Sequence, residues 1–534
     1  MDTTALQQFQ MHGQDIGRLL DLWAAEKPEH PALVWVPREG EGRRWTYASL
    51  RADVHGLAAG LAEHGVAKGD KVLIHAENCP EMVLAWLACA VLGAVGVTTN
   101  TKSVGAEMTY FAEHTRAVAA ITQPQYAAMV ASAAPALRWI AVTPDNSGEP
   151  ATEAERDAVA AGAFITFDSL AGDPARFVPR EPEPLLPFGI MFTSGTTSRP
   201  KAVVHTHANA VWASRSGPRT IDLTGDDTYL IVLPFFHVNA QAWSFFSVLG
   251  VGATAVLMPK WSQSRFWPTV VEHRVTHVSV LPFVLQALMS PDRPAQHSLR
   301  AGVFGFVMPE MTKATGIGLY AAYGMTETVT HAVSGKPYEG IPSRSMGHPT
   351  PGYEMAVVDK DTGELCATGQ TGELWLRGTR GIQLFLEYFD NPEANAKAFE
   401  GDWFKTGDMV RVDPHGNVFY QERDKDLLKV GGENVSAKEV EDCIVALPAV
   451  QSVAVVAKKH DFLSEVAVAF VVTTPGTHDL DALRAEVIER CKANLASFKV
   501  PRAVYVVDEL PTGTLNKILK NRLREMADAE APVD

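Results

Sequence analysis

The chain has 534 residues, 46% hydrophobic and 20% charged, which gives enough apolar material for two or three cored domains and rules out global disorder. A formal net charge of −15 argues against a nucleic-acid binder, which would carry a basic excess, yet a few local cations can still hold an anionic substrate. The five cysteines (Cys79, Cys89, Cys366, Cys443, Cys491) are scattered without a C-x-x-C pair, the pattern of reduced cytoplasmic thiols and not of a disulfide frame or a zinc site.

The first fifteen residues have neither a basic start nor an apolar core, so no secretory signal is expected. From Ile16 to about Ala171, apolar helical stretches alternate with strand-like runs such as Lys71–His75 and Trp139–Val142. That alternation predicts a layered α/β domain with a largely parallel sheet. The run Met82–Val97 is apolar but interrupted by Gly93 and Gly96, and it falls short of the roughly twenty residues a membrane span needs. It predicts a buried helix leading into a core strand, with no integral membrane association. Five prolines in Asp173–Pro187 predict a connector between two subdomains.

Residues Met191 to Lys201 (MFTSGTTSRPK) follow. Thr193, Ser194, Thr196 and Thr197 supply four hydroxyls around Gly195, where the backbone can turn without a Cβ penalty, and Lys201 closes the segment. Hydroxyls and loop N–H groups in that order suit phosphate oxygens. The common nucleotide loop needs a glycine directly before the lysine, and here Ser198, Arg199 and Pro200 stand there. The loop predicts the opening of a second α/β unit, with strands at Thr228–Leu233, Ala253–Met258 and His277–Leu281. Gly352–Tyr420 has shorter strands between Gly and Asp turns, as in a small β-rich subdomain. The last hundred residues predict a compact α+β unit. Ser436 and Glu439 form an S-x-x-E capping box, strands follow at Ser452–Ala457 and Val466–Val472, then an amphipathic helix over Leu480–Leu495 and a solvated tail after Met526.

Four further segments concentrate polar and glycine residues. In Tyr323-Gly324-Met325-Thr326-Glu327-Thr328, the tyrosine offers a ring face and the carboxylate can hold a Mg²⁺ already engaged with phosphates. Asp408, after the turn in Trp403–Asp408, can accept bonds from two ribose hydroxyls. Arg423–Glu441 packs charge before Gly431-Gly432, and Lys517 lies within Pro511–Glu525.

In this order, the four segments and the loop resemble the AMP-forming adenylating superfamily, which includes acyl-CoA synthetases, peptide-synthetase adenylation domains and beetle luciferases. The resemblance covers essentially the whole chain. It implies a large N-terminal domain over residues 1–424, of layered α/β subdomains plus a β-rich subdomain, and a small mobile α+β C-terminal domain over 425–534. It also implies roles. Thr193, Ser194, Gly195, Thr196, Thr197 and Lys201 would bind the ATP phosphates. Tyr323 would stack on adenine, with Gly305 lining the same pocket. Thr326 would contact the α-phosphate and Glu327 the Mg²⁺. Asp408 and Arg423 would hold the ribose, and Lys425 would lie at the hinge. Lys517 would bridge the substrate carboxylate and the α-phosphate. Gly431 and Gly432 would give room to the pantetheine arm of coenzyme A.

The implied activity joins a carboxylic acid to coenzyme A through an acyl-adenylate. The alternative is a free-standing adenylation enzyme that loads a carrier protein. The sequence departs from the family pattern at Ser198, Glu422 and Asn516, each standing where a glycine is usual. The stretch between Gly305 and Tyr323, which borders the acyl pocket, is also short. Ser198-Arg199, Pro234–Gln241 and Ser264–Val284 look most like the bacterial carnitine/crotonobetaine-CoA ligase branch, where His237 would gate the pocket and the thiol tunnel. Trp243, Phe245 and Phe246 are candidates for either pocket or core. The acid is left open between fatty, aromatic and other small acids, and the oligomeric state, a homo-oligomer included, is not written in the sequence.

Overall fold

A computed structural model describes residues 3–193, 199–360, 362–423, 427–476, 479–511 and 518–530. Two large sheets share one core. The first has the spatial order Glu387–Tyr388, Lys201–Thr206, Pro187–Thr193, Val95–Thr98, Lys71–His75, Ala119–Thr122, Ile140–Val142 and Ile165–Thr166. From Pro187–Thr193 onward its neighbours are parallel, as the βαβ pattern of the sequence requires. The second sheet is centred on Ala301–Phe304, His277–Ser279, Thr228–Ile231 and Thr254–Leu257.

Side chains alternate across each sheet. Leu33, Trp35, Tyr229 and Ile231 of the second sheet enter the shared core, while Val34, Leu230 and Val256 enter a separate cluster on the far face. Leu73, Val95 and Val97 likewise face outward from the first sheet. Helix Pro80–Leu92 lies in the shared layer. Its residues from Pro80 to Val91 are all buried, which accounts for its apolar composition on every face. Trp86 sits at the centre, with ring centroids 4.9–6.1 Å from those of Phe188, Phe235, Phe245 and Phe246. No described helix is long and apolar enough to cross a membrane.

The phosphate-loop hairpin departs from the sequence expectation. Pro187–Thr193 pairs in parallel with Val95–Thr98, so the hairpin completes the first sheet and does not open the second. The proline-rich 173–187 stretch therefore returns the chain to the sheet it has just left. Conversely, the early strand Pro31–Trp35 pairs with Thr254–Leu257 in the second sheet. Pairing partners distant in sequence decide this, and local pattern does not carry them.

The β-rich part is as expected: Glu354–Val358, Thr371–Arg377, Trp403–Val412 and Phe399–Glu400 form a sheet, with Val418–Arg423 added to Trp403–Val412. A fourth sheet, built on the hairpin Val450–His460 with Ser464–Thr473, has its own cores on both faces. The expected solvated tail begins later than the sequence suggests. Helix Lys520–Ala529 places Leu523 and Ala527 in one of those cores, because they lie on one helix face four residues apart.

Candidate active site

Thr193 stands opposite Lys201 in the antiparallel hairpin, so both ends of the phosphate loop are anchored to a core sheet. Ser194, Gly195, Thr196, Thr197 and Ser198 lie outside the described residues. Lys201 Nζ stands 4.6 Å from the centre of the Tyr388 ring. Tyr388 reaches this place because Glu387–Tyr388 pairs with Lys201–Thr206. Its hydroxyl donates to Glu327 Oε1 at 2.9 Å, and Glu327 is 5% exposed. Loop base, tyrosine and carboxylate thus form one chain of contacts. A single pinned carboxylate fits Mg²⁺, which is usually held by one or two carboxylates plus substrate phosphates.

Strand Gly318–Tyr323 delivers the next residues. A Cβ on Gly324 would stand 2.5 Å from Thr330 O and 2.8 Å from Trp243 Cζ2, so only glycine fits there. Thr326 follows in a short turn, its carbonyl accepting from His205 Nε2 at 2.7 Å. Burial pushes the His205 pKa down to about 4, so the ring is a neutral donor at physiological pH. Just beyond, Val329 has φ +64° and ψ −59° while Thr330 N–H donates to Thr328 O at 2.7 Å. This is a γ-turn of the strained φ-positive form at a β-branched residue, beside the two groups expected to meet phosphate and metal.

The Tyr323 hydroxyl donates to Asp408 Oδ2 at 2.6 Å, and Asp408 faces Arg423 across the ladder between Trp403–Val412 and Val418–Arg423. The two residues expected at the ribose are therefore register partners. The side chains of Glu422 and Arg423 are outside the described set, as are Lys425, Asn516 and Lys517. Gly305 stands just beyond strand Ala301–Phe304 with open space around it. It does not line the cavity described next, and neither does any residue from there to Tyr323. The short 305–322 stretch thus does not border that cavity, since Met308 and Met311 pack away onto the second sheet's far face.

One cavity of about 520 Å³ brings together Thr193, Thr326, His237, Trp243, Gly431 and Gly432. Gly431 and Gly432 adopt φ +59° and +89°, a consecutive left-handed pair that side chains disfavour. They carry the chain directly into Glu433, whose carboxylate meets His237 Nε2 at 3.2 Å. Burial alone would raise the Glu433 pKa, but His237, Lys102 and Asn100 draw it below its ordinary value. His237 and Trp243 come from the same stretch. Residues Asn239–Phe245 wind as a π-helix, a form that concentrates at functional sites. Trp243 borders the cavity, whereas Phe245 and Phe246 are core. Of the site's groups, sequence reasoning missed Tyr388, which carries no local signal, and Glu433, which directly follows the Gly-Gly pair.

Comparison with known proteins agrees with this geometry. The AMP-binding enzyme family matches residues 20–389, and the AMP-binding enzyme C-terminal domain matches residues 439–517. A crotonobetaine/carnitine–CoA ligase from Salmonella heidelberg is 32% identical over 527 residues, spanning 96% of this chain and 99% of that one. Among solved structures, a double mutant of o-succinylbenzoate CoA synthetase from Bacillus subtilis bound to a product analogue is 27% identical. It covers 95% of this chain and 98% of its own, with a TM-score of 0.78. The Bacillus subtilis enzyme with its acyl-adenylate intermediate, also 27% identical with 96% and 98% covered, overlays at 0.64. The present chain therefore shares more of its overall arrangement with the product-analogue complex. By fold, by motif order and by near full-length identity, the chain belongs to the family of AMP-binding enzymes.

Proposed function

We propose that the protein is an AMP-forming acid–thiol ligase that converts a carboxylic acid to its coenzyme A thioester in two steps at one cavity. In the first, a carboxylate oxygen attacks the α-phosphorus of ATP; the new P–O bond replaces the bond to pyrophosphate, which leaves. In the second, the thiol sulfur of coenzyme A attacks the acyl carbon; a C–S bond forms, the C–O bond to AMP breaks, and the thiol proton passes to solvent. The observation that carries this reading is that Thr193 and Thr326, on the adenylate side, share a cavity with Gly431 and Gly432 on the thiol side.

The residue roles are part of the proposal. Thr193, Ser194, Gly195, Thr196, Thr197 and Lys201 bind phosphates, and Thr326 meets the α-phosphate. Tyr323 and Gly305 form the adenine site; Asp408 and Arg423 hold the ribose. Glu327 holds the Mg²⁺, which when bound offsets the negative charge of the phosphates. Lys517 supplies the cation that lets two anions approach, a contribution whose loss typically costs about 10²–10³ in rate. His237 stands where the acyl pocket meets the thiol route. The division into an adenylating body over 1–424 and a cap over 425–534, pivoting at Lys425, belongs to the same reading, as does action in the cytoplasm.

The test is ATP- and Mg²⁺-dependent AMP release against a panel of acids, with and without coenzyme A. Crotonobetaine and carnitine, for which the Salmonella relative is named, join fatty and aromatic acids in that panel. Release that requires one acid class and coenzyme A is the expected result. Adenylate accumulating without any stimulation by coenzyme A would point instead to an enzyme that loads a carrier protein.

A further inference from the structure

Among the described residues not assigned above, a heavily buried ionic cluster at Lys499, which also lines the cavity, spans the two parts of the chain. Lys499 Nζ lies 2.5 Å from Glu107 Oε1 and 2.9 Å from Glu439 Oε1, and all three side chains are 6% exposed. Lys499 ends the turn Ser497–Lys499 and Glu439 lies on helix Ala437–Val445, both in the unit built on the fourth sheet. Glu107 is 392 positions from Lys499, on helix Gly105–Thr115, whose Met108, Phe111 and Ala112 pack on the first sheet. The lysine and Glu439 therefore belong to one unit of the fold and Glu107 to the other.

The local bonding shows how the cluster is arranged. Glu107 Oε2 accepts the Val104 N–H at 3.1 Å, capping its own helix, and offers its other oxygen across the interface. Ser436 accepts the Glu439 N–H at 3.3 Å, but the Glu439 side chain does not complete the capping box; its Oε1 turns to Lys499 and its Oε2 has no hydrogen-bond partner. Burial alone would lower the Lys499 pKa, and the two carboxylates more than reverse that. A buried cation between two carboxylates from different bodies is satisfied only while those bodies are docked, and removing it leaves two buried anions face to face. Beside it, Lys102 stands 5.5 Å from the centre of the Phe498 ring, a second contact across the same interface.

We propose that Lys499 is a positioning residue for thioester formation: its bond to Glu107 holds the C-terminal unit docked in the arrangement that presents Gly431 and Gly432 to the cavity. The proposal rests on the two-step reading above. On that reading the first step uses a different placement of the C-terminal unit, in which Lys499 and Glu107 would part, so the clamp is expected to act on the second step.

The test uses the full-length protein and the variants Lys499→Met and Glu107→Gln. The second keeps side-chain volume and the oxygen that caps the helix. Adenylation is followed by ATP–pyrophosphate exchange with crotonobetaine, hexanoate and benzoate, and thioester formation by supplying the matching acyl-adenylate with coenzyme A. The ratio of thioester to adenylation rate is expected to fall about tenfold or more in Lys499→Met, and less in Glu107→Gln, which keeps the pair with Glu439. Amide exchange over residues 104–115 should rise in Lys499→Met while exchange over 71–75 stays unchanged. An unchanged rate ratio in both variants, or unchanged exchange at 104–115, overturns the clamp. If the unmodified chain makes adenylate but no thioester, the ligase reading fails, and exchange alone then decides the clamp.

Discussion

Gly432 holds φ at +89°, and a Cβ there would stand 3.4 Å from Leu281 Cδ1 across the cavity. A large side chain would thus meet a backbone penalty and intrude on the cavity, which is the thiol route on the proposed reading. Gly432→Leu is expected to slow thioester formation from a supplied acyl-adenylate by at least about 10²-fold while adenylation changes little. Lys517→Ala is expected to do the reverse, abolishing pyrophosphate exchange and sparing the second step. Equal loss of both steps in either variant would contradict two alternating arrangements. The residue types at these positions were readable in sequence because phosphate, metal and thiol chemistry each demand particular groups. Tyr388 was not, because nothing around Glu387-Tyr388 marks it as the residue that pins Glu327.

At the scale of elements, Gly324 shows why a motif glycine can be invariant in its demands without a positive φ. Its neighbours are a backbone oxygen and a tryptophan ring, neither free to retreat. Gly324→Ala is therefore expected to destabilise the fold by about 1–3 kcal/mol, through overpacking. The melting temperature would drop accordingly, whereas Gly305→Ala, with open space around it, should leave melting unchanged. Most elements were legible: the strand expected over Lys71–His75 is found there, and the helix expected over Leu480–Leu495 runs from Leu480 to Asn494. Periodicity failed where membership, not existence, was at issue. The hairpin Pro187–Thr206 reads as the start of a new unit because a proline-rich stretch precedes it, yet its hydrogen bonds go back to Val95–Thr98. The π-helix at Asn239–Phe245 was also invisible, since one extra residue in a turn leaves no sequence signature.

Among the described residues, burial lowers the pKa of nine histidines, and it does so most strongly for five of them. The pKa is pushed down to about 3 for His75 and His331, to about 4 for His205 and His277, and well below its usual value for His207. In the unfolded chain each would titrate near 6.5. Their native pKa values are depressed, so the associated stability is complete above about pH 6.5. It declines as pH falls toward 4, because the unfolded state takes up protons that the native state refuses. Each contributes a slope of up to about 1.4 kcal/mol per pH unit in that window. Melting temperature is thus expected to fall steeply between pH 6.5 and 4.5, and a flat profile over that range would refute the account.

Sequence by itself showed the chemical groups: a hydroxyl-rich loop, a carboxylate suited to a metal, an aspartate expected at the ribose, a glycine pair and a late lysine, in an order that resembles one family of enzymes. Those are local requirements, met by residue type and short-range backbone freedom, and they survive being read one segment at a time. Tertiary structure alone decided which sheet receives the loop, that Tyr323 and Asp408 share a hydrogen bond, and that Lys499 is clamped by Glu107 from the far end of the chain. Such pairings form because burying a charge or a strand edge requires a partner wherever the chain can supply one, and linear distance places no mark on which partner that will be.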